Sequence, residues 1–174
     1  TMPDMSLSDK VRRTEFLGRE FLTWLMFRSA RDEGVFRMPE GDAIEVLFER
    51  ALTLEGENPA REMSAIKVED PSESEEVLLS LRLNKKVSRA RITVIADSRE
   101  YHLQLDASTL ALRSVKLPDL VATDPVEALA EQSATLTDLE NLIYRLFTHF
   151  MQLRLDAKLW ANETGACARW LAAS

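Results

Sequence analysis

The segment Phe16–Ser29, FLGREFLTWLMFRS, constrains the fold of this 174-residue chain more than any other stretch. Leu17, Phe21, Trp24 and Leu25 fall at i, i+4, i+7 and i+8, so they share one face of a helix. Phe16, Leu22, Met26 and Phe27 carry apolar surface around most of the rest of the circumference. A helix that is apolar nearly all round has to be covered by other elements. The helix is expected over residues 6–33. Ser6 and Asp9 have capping-box spacing, and Gly34 suits the position just past a helix end. Asp32 and Glu33 sit in a last turn whose dipole prefers cations, at small cost.

The cover for that helix is expected from strands. Ala43–Glu55 satisfies two patterns. Ile44, Val46, Phe48, Leu52 and Leu54 alternate with polar residues, as in a half-buried strand, while Ile44, Leu47, Phe48, Ala51 and Leu52 also fit a helical stripe. The turn signal Glu40-Gly41-Asp42 before it and Gly56 after it select the strand. Met63–Val68 reads as a short strand. Ser72 and Glu75 then form a capping box for a second helix carrying Val77, Leu78 and Leu81. Val87–Ala96 is the clearest strand, with Ala90, Ile92, Val94 and Ala96 on one side and Arg89, Arg91 and Thr93 on the other. A four-residue turn, Asp97–Glu100, joins it to Tyr101–Asp106 as an antiparallel hairpin. Thr109–Val115 adds a further strand.

Residues 117–135 read as a connector with Pro118 and Pro125 and room for one short helix. Beyond it, Leu136, Leu139, Ile143, Leu146, Phe150, Leu153, Ala157 and Trp160 keep 3-4 spacing, which predicts one long helix over 136–160 followed by a tail. Its seam wants a partner: either the chain's own sheet and first helix, or a second copy. The expected fold class is α+β, a mostly antiparallel sheet of four to five strands packed against an N-terminal helix and a long C-terminal helix. No alternating βαβ order argues for a parallel sheet. A hydrophobic content of 45% is enough for one well-buried core, so a single domain over residues 1–174 is the expectation.

Charge and cysteine usage narrow the function classes. The net charge of −7 repels phosphate at long range, so nucleic-acid binding needs a local basic patch. One cysteine, Cys167, allows no internal disulfide and suits a reducing compartment. The chain has no run of 18 apolar residues and no secretory h-region, which excludes a membrane partner and makes a cytoplasmic location the expectation.

The strongest basic feature is Lys85, Lys86, Arg89 and Arg91, four cations in seven residues that can contact phosphates. The competing reading is a solvated sheet face with ion pairs to nearby glutamates, favoured by the adjacent acidic run Glu69–Glu76. A second cluster, Lys10, Arg12, Arg13 and Arg19, opens the first helix, where phosphate contact and an ordinary solvated helix end both fit it. His102 lies on the polar side of a strand and His149 beside the helical seam. Neither has ligands at metal spacing. Cys167 reads as a small buried group. Glu75 and Glu76 belong to a solvated charged run. Trp24 and Trp160 fall on core stripes, and Trp170 is less constrained. No phosphate-binding glycine loop is present. No catalytic residue, metal or cofactor is therefore assigned.

Four segments occur in order: FLGREFLTWLMFRS, LRLNKKVSRARITV (Leu81–Val94), YHLQLDASTLALRSVKLP (Tyr101–Pro118) and NLIYRLFTHFMQLRL (Asn141–Leu155). Together they resemble the C-terminal region of RdgC-like recombination-associated proteins. The resemblance implies a setting of non-sequence-specific duplex DNA binding by a ring-shaped dimer in recombination and the nucleoid. The ring-forming region would lie upstream, so the family's DNA-contacting residues have no positions in this sequence. The leading expectation is a non-enzymatic accessory domain that docks protein partners or its own copy through the long helix, with DNA contacted in the context of a larger chain. Direct duplex binding through Lys85–Arg91 comes second, and an enzyme of unrecognised type last.

Overall fold

Apolar residues at strand and helix spacing close one face of a sheet and leave the other open. The computed structural model describes residues 7–57, 63–67 and 70–174. Ser6 and Val68, expected ends of a helix and a strand, lie outside the described residues. The elements run α1 (Leu7–Arg31), β1 (Val35–Arg37), β2 (Ala43–Glu55), β3 (Met63–Lys67), α2 (Glu75–Arg82), β4 (Lys86–Ala96), β5 (Arg99–Asp106), β6 (Leu112–Lys116), α3 (Pro125–Leu155) and α4 (Ala157–Ala173). The fold is α+β. The sheet is antiparallel in the order β1-β2-β4-β5-β6, with β3 paired to the C-terminal part of β2. The five expected strands are present. The short β1, which carries buried Phe36, is an addition.

One sheet face carries Ile44, Val46, Leu54, Ile92, Val94, Tyr101, Leu103 and Leu105, all buried. Against it lies α1, whose Phe21, Leu22, Trp24, Leu25, Met26 and Phe27 are buried on all sides, as the sequence requires. Phe21 stands edge-on to Phe147 of α3 with ring centroids 5.3 Å apart, and Trp24 packs 5.7 Å from Phe150. Gly18 lets α1 approach the end of β5, because a Cβ there would collide with the Ala107 carbonyl. At the end of α1, Gly34 takes φ +80° and its N–H donates to the Ser29 carbonyl at 2.8 Å. Asp32, disfavoured by the dipole, is offset by Arg28 at 3.1 Å and Arg31 at 2.8 Å.

Local chemistry moves several expected boundaries. The cap of α2 is Ser74, whose hydroxyl accepts from the Val77 N–H; Ser72 instead accepts a place in the preceding turn, donating its N–H to Asp70. The β4–β5 connection is two residues, Asp97 and Ser98, at φ 51° and 63°. Paired positive φ values match the strand twist, and Arg99 and Glu100 consequently join the ladder opposite Ala96 and Ile95.

The largest correction concerns residues 117–160. Asp124 caps a helix that begins at Pro125, so the connector is shorter and α3 starts well before residue 136. The helix then stops at Asp156, whose carboxylate accepts from the Lys158 and Leu159 N–H groups at 3.0 Å and starts α4. Trp160 thereby returns to Phe150, with ring centroids 5.6 Å apart. Ten residues of straight helix would separate them by about 15 Å. The seam residues Leu139, Ile143, Leu146 and Phe150 are buried in the chain's own core, so they are not a free dimer seam. No described helix is long and apolar enough to cross a membrane.

Candidate functional site

The basic strand is divided by a bulge. Leu54 pairs with Val87 while Thr53 pairs with Arg89, leaving Ser88 as an extra residue. On one side of it, Lys86 turns towards the helices. Its ammonium lies 5.8 Å from the Phe16 ring centroid, and it lines a cavity of about 110 Å³ with Glu20, Trp24, Trp160 and Cys167. On the other side, Arg89 and Arg91 point from the uncovered sheet face. Lys85 ends the α2–β4 turn, its N–H donating to the Ser80 carbonyl at 3.0 Å. The four cations expected to form one patch are thus not brought together: two share the open face and Lys86 lies on the helical side. Of the second basic cluster, Arg19 is paired with Glu55 at 2.7 Å. The side chains of Lys10, Arg12 and Arg13 lie outside the described residues.

The open face is laid out by register. Leu47, Thr93, His102 and Lys116 form one cross-strand row, and Arg91, Gln104 and Arg113 the next. His102 sits between two carboxylates, Nδ1 at 2.7 Å from Glu49 and Nε2 at 2.9 Å from Glu100. Thr93 donates its hydroxyl to the same Glu49 oxygen at 2.7 Å. Burial pushes the Glu49 carboxyl up, but the hydrogen bonds from His102 and Thr93 and the charge of Arg91 outweigh it and hold it below the ordinary range. This ionisable cluster closes on itself. It lies across strands where side-chain partners come from distant sequence, so spacing along the chain carried no signal for it.

His149 packs its ring 5.8 Å from Trp24, and burial together with the nearby Arg28 charge lowers its proton affinity. Burial pushes the Cys167 thiol up, which suits a packed group. Among the described residues, no group of three or more His, Cys, Asp or Glu side chains is placed to hold a metal ion. All three tryptophans pack: Trp24 is buried, Trp160 meets Phe150, and Trp170 lies 5.6 Å from Phe27.

A second surface lies at the start of α3. Its residues 125–134 precede the first buried position, Thr135, and extend past the core. Val126 is 77% exposed, Leu129 67% and the neighbouring Val121 88%. The preceding segment runs back along the helix, where the Glu131 carboxylate accepts the Val121 and Ala122 N–H groups at 2.8 Å each. Those two backbone donors hold the Glu131 carboxyl below its ordinary range. Between segment and helix lies a groove of about 640 Å³ walled by Val115, Leu117, Leu120, Leu129 and Leu136. A connector over residues 117–135 with at most one short helix gives no expectation of this groove. Asp124-Pro125, a cap followed by proline at the first helical position, was the signal available.

No protein-family model and no curated protein matches the chain.

Proposed function

We propose that this chain is a non-enzymatic interaction domain of an RdgC-like, DNA-associated protein, and that it docks a protein partner on the groove at the start of α3. The observation that carries the docking reading is the apolar ledge of Leu120, Val121, Val126 and Leu129, large side chains left in water beside a groove of similar character. Large apolar side chains left exposed beside a groove are costly to keep unless something covers them. The ordered resemblance of four segments supports the RdgC-like setting. Farther along α3 the stripe Leu139, Ile143, Leu146 and Phe150 is taken up by the core, and the docking surface is therefore assigned to the first turns.

The test compares the wild-type chain with Leu129→Glu. Sedimentation across a concentration range reads self-association, and quantitative capture from cells reads other partners. A defined partner, or a second copy, retained by the wild type and lost by the variant at unchanged fold supports the reading. Identical captured sets and identical masses overturn it.

Direct duplex binding has one observation in its favour: Arg89 and Arg91 are exposed on the same sheet face. Glu49, Glu100 and Asp106 share that face and oppose a polyanion. Duplex titration at two salt concentrations decides. Binding that weakens steeply with salt and disappears on charge reversal at Arg89 and Arg91 replaces the accessory reading with this one.

A further inference from the structure

The open face holds a hollow that is independent of the α3 groove. Phe48 pairs with Ile92 and Leu52 with Ala90, so Glu49, Arg50 and Ala51 stand opposite Arg91 alone. Extra residues on one strand bend it and break the ladder locally. The result is a mostly apolar hollow of about 350 Å³, lined by Ala51, Leu52 and Thr53 of β2, Ile66 of β3, Arg89 and Arg91 of β4, and Gln104 of β5. That volume lies within the range of small-molecule sites.

The electrostatics of the hollow are incomplete. Each guanidinium offers five N–H donors. Arg89 meets Asp106 only at 3.4 Å, and Arg91 meets Glu49 only at 3.7 Å. Both carboxylates are held by stronger partners. One Glu49 oxygen takes His102 and Thr93 at 2.7 Å. One Asp106 oxygen takes the Ser108 hydroxyl at 2.7 Å and its N–H at 3.0 Å. The other oxygen of each carboxylate faces its arginine, only at 3.7 Å for Arg91 and 3.4 Å for Arg89, so both guanidiniums keep N–H donors to spare. They lie two residues apart on one strand face, about 7 Å along the backbone, and are 53% and 46% exposed.

We propose that this hollow binds a small organic anion, with a phosphate or carboxylate group held between Arg89 and Arg91 and an apolar body resting against the strands at the bulge. Planar guanidinium forks match both head groups. Thr53 and Gln104 add neutral polar contacts at the rim. The site is concave and spans a single head group, which distinguishes it from a track for an extended polyanion.

The test is an amide-shift titration of the full chain with phenyl phosphate, benzoate, inorganic phosphate and a short DNA duplex. Phenyl phosphate or benzoate is expected to give saturable shifts centred on Ala51, Thr53, Arg91 and Gln104, the tighter of the two naming the head group. Inorganic phosphate should bind more weakly than phenyl phosphate. Arg91→Gln should weaken binding by about tenfold or more, while Arg113→Gln, a neighbouring cation outside the hollow, and Leu129→Glu should leave it unchanged. Three results overturn the proposal. One is no saturable shift with any small anion. Another is equal weakening by Arg91→Gln and Arg113→Gln, the mark of a diffuse field. The last is duplex binding tighter than phenyl phosphate that strengthens with duplex length, which would assign the surface to nucleic acid. Because Leu129 lines a separate groove that shares no lining residue with the hollow, failure here leaves the docking reading standing, and the reverse also holds.

Discussion

The two parts of α3 share one backbone conformation and have opposite fates. Residues 135–155 place Leu139, Ile143, Leu146 and Phe150 in the core, while residues 125–134 bury nothing completely. The difference lies in side-chain spacing. From Leu139 on, large apolar residues return every three or four positions and meet α1 and the sheet. In PVEALAEQSA the residues are small, charged or singly apolar, so the helix there is held by its Asp124 cap, its Pro125 and the Glu131 tie to the connector. Helix formation and core membership are separate outcomes, and only the second follows from the hydrophobic stripe.

The contrast can be attacked with substitutions along the helix. Phe150→Ala removes a fully buried ring that meets Phe21, Trp24, Phe147 and Trp160. It should cost roughly 3–5 kcal/mol in urea unfolding. A loss below about 1 kcal/mol would mean the C-terminal part of α3 is not the core element described. Asp156→Ala deletes the cap that starts α4 and should cost about 1 kcal/mol. Its second readout is Trp160 fluorescence, which should shift as the ring leaves Phe150 if the break depends on the cap.

A smaller, pH-dependent effect comes from the buried part's tie to the β1–β2 turn. Arg145 donates to Asp42 at 2.9 Å, and this bond, opposed by some burial, holds the Asp42 carboxyl below the ordinary range. A carboxyl with a depressed folded pKa adds stability above its unfolded pKa and loses it as pH falls through the folded value. Asp42→Asn should therefore be less stable than wild type at pH 7, and the gap should close as pH drops below the usual carboxylate range. A gap that persists or widens in acid would rule out the ion pair as its source.

Much of the fold is legible in the residues. The alternation of Ala43–Glu55 and Val87–Ala96 and the all-round apolar character of Phe16–Ser29 each predict the observed element. Three features are not legible for physical reasons. The break at Asp156 has no glycine or proline to mark it, since an aspartate can cap a new helix as well as sit within a long one. The turn of Lys86 away from Arg89 and Arg91 depends on a bulge at Ser88, which is set by pairing with a strand more than thirty residues away. The hollow beside Arg91 arises from a second irregularity of that pairing, and alternation along either strand alone gives no sign of it. The start of α3 is different in kind: Asp124-Pro125, a cap followed by a first-turn proline, carries the information, although a proline equally suits a connector.

The most direct test of the central claim measures stability and partner retention together on Leu129→Glu. The surface reading predicts an unfolding free energy within about 0.5 kcal/mol of wild type, as expected for an exposed site, with the partner or second copy lost. Destabilisation approaching that of Phe150→Ala, or full retention of every partner, would contradict it.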